Sequence, residues 1–389
     1  MKSIGFINIL VYTILLNVSA FADADKTKYF DVDGEIRLGF VSQDNDANPD
    51  NKNGAIGGSL GIKTKAINGI ELGAKFYTTN MLKSKNGDGS GTSLFSSTEK
   101  GYSILGEAYV KGTLNNTSLK IGRQRLDTPY ANDNDIRMVP NLFEAARLSN
   151  TDIPDTTLLA IHIKRAAGVD SPIQEGFTDI VAGYDGATIL GIKYDGITNS
   201  KLSAWYNNID RLAAIVHLEA YNSIKFNNNS VLDLGLQYAN YKEKASSGTD
   251  GSMYGVCANY KVDDIQLYAA YNKTSNDTGK SLSNVFGGGR PYMTSMDTQT
   301  LNGLSDAKAY RLGLGYDILS NLNISYYYGD FKYQPLIDGQ IVEQNIYANY
   351  RLNDNVSALF IYTDTKHTKA NIVQGDSYKR IRGTIKYVF

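Results

Sequence analysis

The chain has 389 residues, with 39 Lys and Arg against 40 Asp and Glu and a formal net charge of -1. That balance carries no polybasic signature, so nucleic acid is not an expected partner. A single cysteine, Cys257, excludes an internal disulfide framework, and 28 Tyr with 37 Gly against 7 Pro suits strands whose aromatic residues meet a membrane interface.

The N-terminus reads Met1-Lys2, then an apolar segment over residues 4–18, then Ala20-Phe21-Ala22 before the charged residues 23–28. This pattern predicts a signal peptide over 1–22, cleaved after Ala22, and an exported mature domain over 23–389. Beyond it, no run approaches the ~18 consecutive apolar residues of a spanning helix. Any lipid-facing apolar residues must therefore be hidden by alternation.

The mature chain alternates throughout. Over residues 32–41, Val32, Gly34, Ile36, Leu38 and Phe40 oppose Asp33, Glu35 and Arg37. Over 70–78, Ile70, Leu72, Ala74 and Phe76 oppose Glu71, Lys75 and Tyr77. Similar segments cover about 55–64, 102–112, 117–124, 157–165, 187–195, 201–208, 212–221, 230–241, 252–260, 265–272, 307–317, 322–329, 341–351 and 356–363. The last, 377–389, sets Ile381, Gly383, Ile385, Tyr387 and Phe389 against Arg380, Arg382, Thr384, Lys386 and Val388. A side-chain period of two lets one face touch acyl chains while the other encloses water.

The links alternate as well. Short ones rich in Asn, Asp and Gly lie at 66–69, 114–116, 196–199, 226–229, 262–264 and 352–355. Long polar ones lie at 42–54, 79–101, 273–306 and 364–376. Short inner turns with long outer loops belong to a transmembrane β-barrel. Both chain ends must then lie on the inner side, which needs one more crossing at 143–149, although Phe-Glu-Ala-Ala-Arg-Leu-Ser is a poor strand taken alone. The expected fold is an all-β, antiparallel transmembrane barrel of eighteen strands, with sixteen as the alternative. No repeat of 20–50 residues marks a propeller or solenoid.

One segment is specific beyond its period. Gly122-Arg123-Gln124 is followed by Thr128-Pro129, Ala131-Asn132, Asp135-Ile136-Arg137-Met138-Val139-Pro140-Asn141 and Phe143-Glu144. It resembles the third-loop signature of the OprD family of outer-membrane porins, as do Leu190-Gly191-Ile192-Lys193-Tyr194 and Ala204-Trp205-Tyr206. The resemblance implies eighteen strands and a third loop, residues 126–142, that folds inward and narrows a pore. Its polar cluster, Asn132, Asp133, Asn134, Asp135 and Arg137, is the expected constriction, held by Pro129 and Pro140. The family's ladder of basic wall residues would fall here on Arg311, Arg380, Arg382 and Lys386, with Lys75 and Lys120 beside them. Strand eighteen closes against strand one and its Asp33, Glu35 and Arg37. Two readings of the wall stay open: a solute ladder, or cations that neutralise carboxylates across the seam.

The expected function is passive, partly selective diffusion of small polar or charged solutes, such as carboxylates and amino acids, through a wet pore in the bacterial outer membrane. A general trimeric diffusion porin and a non-conducting adhesin or receptor barrel are the alternatives. Expected partners are the lipid bilayer, the solutes, and the barrel-assembly machinery acting on Phe389, with the barrel a monomer or a trimer. No enzyme or cofactor is expected. His162 and His217 fall on predicted lumen faces and His367 on an outer loop, which gives no metal set. Gly287-Gly288-Gly289-Arg290 lacks the Lys-Ser/Thr of a phosphate loop. Asp44-Asn45-Asp46 opens like a calcium loop, but Pro49 takes the glycine position. Cys257 is expected to be a packing residue on the inner face.

Overall fold

A computed structural model describes residues 29–46, 48–84, 94–96, 98–180, 183, 185–226, 229–334, 339–367 and 377–389. The expected signal peptide lies outside the described residues. Eighteen strands form a closed antiparallel barrel with no helix among the described residues. In chain order they are β1 Phe30–Asn45, β2 Asn51–Thr64, β3 Ile70–Ser84, β4 Tyr102–Leu114, β5 Thr117–Gln124 and β6 Leu142–Asn150. Then come β7 Thr156–Ala167, β8 Ala187–Tyr194, β9 Ser200–Ile209, β10 Ala213–Lys225, β11 Val231–Glu243 and β12 Gly251–Val262. The last six are β13 Ile265–Ser275, β14 Lys308–Leu319, β15 Leu322–Tyr333, β16 Gly339–Arg351, β17 Val356–His367 and β18 Tyr378–Val388. A two-residue piece, Thr178–Asp179, extends the sheet against Arg165 and Ala166. The crossing inferred at 143–149 is β6, paired with β5 and β7 along its whole length.

Among the described residues, full closure leaves no strand edge facing lipid. Five of the inner turns are tight because Asn or Asp takes the left-handed conformation: φ is 50° at Asn68 and Asn115, 52° at Asp155, 57° at Asn199 and 48° at Asp263. At the seam, β18 lies against β1 from Glu35↔Val388 to Asn45↔Tyr378, and Phe389 N donates to Gly34 O at 3.0 Å. Two glycines make room for aromatic rings there. A Cβ on Gly34 would lie 2.5 Å from the Phe389 ring, and one on Gly383 would lie 2.0 Å from Phe40. The terminal phenylalanine therefore caps the joint from the lipid side.

The outer surface carries exposed Leu60, Ile62, Val110, Ile121, Leu236, Leu312, Leu314 and Ile385. The interior is not uniformly wet. Leu126, Ala131, Phe143, Leu159, Ile161, Ile163, Ile189, Trp205 and Phe286 form one buried cluster, and Tyr130, Ile209, Ile215, Tyr241, Leu301, Leu304 and Phe331 belong to another. Both join wall residues to two loops, the third (125–141) and the seventh (276–307).

Two expectations are corrected here. Residues 273–306 do not form an ordinary outer loop: they fold into the barrel and pack against its wall. His162 faces outward. Leu159, Ile161 and Ile163 take the inner face of β7, buried against loop residues, while His162 is exposed and hydrogen-bonds Thr188 at 3.1 Å. The polar-in rule fails where the lumen is filled, because a wall that meets a packed loop must itself be apolar.

Candidate functional site

The third loop crosses the lumen and is fixed at both ends. On one wall Tyr241 donates its hydroxyl to Tyr130 at 2.8 Å, and Tyr130 Oη lies 3.0 Å from His217 Nδ1. Midway, Phe286 of the seventh loop pairs with it: Phe286 N donates to Tyr130 O at 3.1 Å, and Asn132 N to Phe286 O at 3.0 Å. On the opposite wall Arg37 grips Asp135 with two hydrogen bonds of 2.6 and 3.0 Å, and Lys386 Nζ lies 3.5 Å from the same carboxylate. Asn134 and Asn141 donate to Asp170 of the fourth loop, at 2.9 and 2.6 Å.

The seventh loop is stapled by Glu343 of β16, which accepts from the amides of Thr298 and Gln299 at 3.0 and 2.8 Å. This holds Asp297 against Arg382, whose other arm donates to Ile136 O at 2.6 Å. Thr363 also donates to Asp297, at 3.1 Å. Two loops thus meet over the last strands and leave a cavity of 1160 Å³ beside them, bordered by Asp135, Arg137, Asp297, Arg380, Arg382 and Lys386 among others.

Of the expected constriction residues, Asn134, Asp135 and Arg137 border that cavity. Asn132 and Asp133 turn away: Asn132 donates to Asp127 at 3.1 Å, and Asp133 pairs with Arg125. Of the expected wall residues, Arg380, Arg382 and Lys386 border it. Arg311 lies in a separate recess of 490 Å³, its guanidinium 4.0 Å from the Tyr327 ring centre and donating to Ser295 O at 2.8 Å. Lys75 reaches Asp33 across Gly61, where a Cβ would come within 2.9 Å of the carboxylate. Lys120 sits over the Tyr109 ring, and Glu35 pairs with Arg37 at 2.5 Å.

The seam does not neutralise the wall. Arg382 and Arg380 face Val41 and Gln43 across it, and Arg37 faces Lys386, a pair of like charges. Arg37 has Glu35 of its own strand, and the loop residues Asp135 and Asp297 serve as counter-ions to Arg37, Lys386 and Arg382. Burial opposes the charge of Asp135, but the hydrogen bonds and charge of Arg37, helped by Lys386 and Arg125, hold the carboxyl below its ordinary range. Burial, then repulsion from Arg382 and Arg380, lowers the Arg137 guanidinium to about 9, so it is still a cation at neutral pH.

Sequence reasoning missed Asp297, Glu343, Asp170 and the whole seventh loop. The available signal was apolar density: Tyr292, Met293, Met296, Leu301 and Leu304 are too many large apolar residues for a solvated link, and all are buried.

A family description, outer membrane porin of the OprD family, matches residues 59–317, well over half of the chain. The chain belongs to the OprD family. Solved structures agree in fold. OccAB4 of Acinetobacter baumannii superposes with a TM-score of 0.80 at 17% identity, covering 93% of this chain and 98% of that one. OccK8 (OprE) of Pseudomonas aeruginosa gives 0.77 at 15%, covering 92% and 98%. OpdK of Pseudomonas aeruginosa, crystallised with vanillate, gives 0.76 at 16%, covering 92% and 98%. Comparison with curated protein sequences finds no match. This OprD-family porin is a channel of the outer membrane that passes small solutes passively.

Proposed function

We propose that the channel selects small organic anions, with carboxylates and amino acids as the substrate class. The observation that carries this is the cluster of cations where the two loops meet the last strands. Arg37, Arg137, Arg380, Arg382 and Lys386 gather there around Asp135 and Asp297, while Arg351, Asp264 and Asp317 border the cavity at its inner-turn end and Asp170 is held by Asn134 and Asn141. Arg380 spends its guanidinium on a neutral partner, donating to Gln43 at 2.7 Å and resting near the Tyr378 ring. A carboxylate in the cavity meets Arg380, which has no carboxylate partner among the described residues, and an amino group meets the partly exposed Asp135. Repeated weak contacts of this kind speed passage only if each is easily broken, which a partly exposed arginine such as Arg380 permits. The vanillate held by OpdK is itself a carboxylate, which supports the reading.

Export through the signal peptide at 1–22 and recognition of Phe389 by an assembly machinery complete the proposal, in a Gram-negative outer membrane. The family is one of channels, so no catalytic role is proposed. The test is reversal potential in a planar bilayer. Replacing Arg380 and Arg382 together with Ala should move selectivity several-fold toward cations and weaken block by small carboxylates. Unchanged reversal potentials would remove both residues from the conducting path.

A further inference from the structure

The outer wall holds a row of charge that the transport path does not use. Register places Lys273 of β13 opposite Lys308 of β14, and Lys308 opposite Lys332 of β15. Their chain neighbours Thr274, Ala309 and Phe331 are fully buried and point into the barrel, so alternation turns all three lysines outward. Neighbouring strands lie roughly 5 Å apart, so this is a run of directly opposed like charges, an arrangement that costs stability in a sheet. Among the described residues, Lys273 and Lys308 have no carboxylate partner. Lys332 has Asp330 at 4.0 Å, but that carboxylate already accepts Tyr310 at 2.9 Å and Gln340 at 3.0 Å.

The residues beneath the row identify the medium. One cross-strand step toward the inner turns, Val256, Tyr271, Tyr310 and Asp330 lie side by side. One step further, Leu312 lies between Ala269 and Tyr328, and beyond them come Leu267, Leu314 and Tyr326. Leu312 and Leu314 are 51% and 52% exposed and belong to the apolar outer band of the barrel. The order is apolar, then tyrosine, then lysine, toward the end bearing the long loops. Tyrosines sit at the headgroup boundary of a membrane, so the lysines stand at the height of the headgroups themselves.

We propose that Lys273, Lys308 and Lys332 form a binding site for the phosphate groups of an anionic lipid in the outer leaflet. A phosphate supplies the missing counter-ion and accepts hydrogen bonds from more than one ammonium group. The ring faces of Tyr310 and Tyr328, whose centres lie 6.2 Å apart, cover the upper part of its acyl chains. The site is separate from the pore, because its lysines and the cavity arginines point to opposite sides of the wall.

The test uses the full-length mature protein in nanodiscs of phosphatidylcholine doped with lipid A, with dephosphorylated lipid A and free inorganic phosphate as controls. Lipid A should bind and raise the unfolding temperature, and the dephosphorylated form should do neither. Each lysine near an anionic surface contributes about fivefold, so Lys273→Gln/Lys308→Gln/Lys332→Gln should weaken lipid A binding on the order of a hundredfold. Single-channel conductance of this variant should match the parent, which also shows that it folds, and Lys308→Gln alone should give an intermediate loss. Equal lipid A binding by the triple variant, or equal binding of the dephosphorylated lipid, would overturn the proposal. An identical thermal shift from inorganic phosphate alone would make this a free-anion site and would also overturn it.

Discussion

Strands β6 to β11 and strands β14 to β18 line opposite halves of one barrel and obey the same alternation, yet they enclose different things. The first half turns Phe143, Ile161, Ile163, Ile189 and Ile215 inward, all buried against loop residues. The second half packs Ala309, Phe331 and Ile341 at the outer ends of β14 to β16 against the seventh loop, but turns Arg380, Arg382 and Lys386 of β18 toward a cavity of 1160 Å³. The loops make the difference. Where they pack, the interior becomes a hydrophobic core that fixes their position. Where they stop, solvent and charge remain. On the proposed function, the filled half is the mount and the open half the path.

The strongest way to break this contrast is to remove the boundary. Deleting residues 133–137 takes away Asp135, the counter-ion of Arg37 and Lys386, and the edge of the third loop over the cavity. Conductance should rise several-fold. The Tyr130 anchor on the far wall stays in place, so the barrel should keep its heat-modifiable mobility in detergent gels. A folded variant with unaltered conductance would place the segment outside the path.

The same cause decides how far the contrast is legible in the chain. Strand number, the seam and the third loop can be read because lipid enforces a period of two and both ends must lie on one side. Even the weak strand Leu142–Asn150 is recoverable by that parity. His162 falls on the wrong face because the rule assumes a wet lumen, and β7 lines the filled half. The seventh loop escapes because a segment that folds inward has no period to betray it. Its counter-charge Asp297 becomes visible only when the chain closes and brings it to Arg382, 85 positions away. Arg380, Arg382 and Lys386 are found because they lie on a strand whose phase is unambiguous, whereas Asn132 and Asp133 sit in a loop, where spacing does not fix direction.

A milder perturbation separates mount from path. Ile163→Ala in the filled half removes a side chain that is 1% exposed. Truncations of this kind cost about 2–5 kcal/mol, to be seen as a lower denaturation midpoint in detergent with reversal potential unmoved. A shift in ion selectivity from this substitution would show that the two halves are not independent.

The smallest effect expected is on pH, and it tests the boundary without changing its length. Asp135 is held below its ordinary value of 3.8 by Arg37, Lys386 and Arg125, against the opposing effect of burial. A carboxylate depressed in the folded state contributes stability that is fully present above its unfolded value and lost as pH falls through the folded one. The third loop should therefore stay seated from pH 7 down to about 4 and loosen only below that. As Asp135 takes up its proton, Lys386 loses its counter-ion and Arg37 keeps only Glu35, so anion preference and current noise should rise together. Asp135→Asn should show that behaviour already at neutral pH and lose most of the acid-dependent change. If the parent and Asp135→Asn follow the same pH profile, the neck is not held by this carboxylate, and the packed half alone must position the loop.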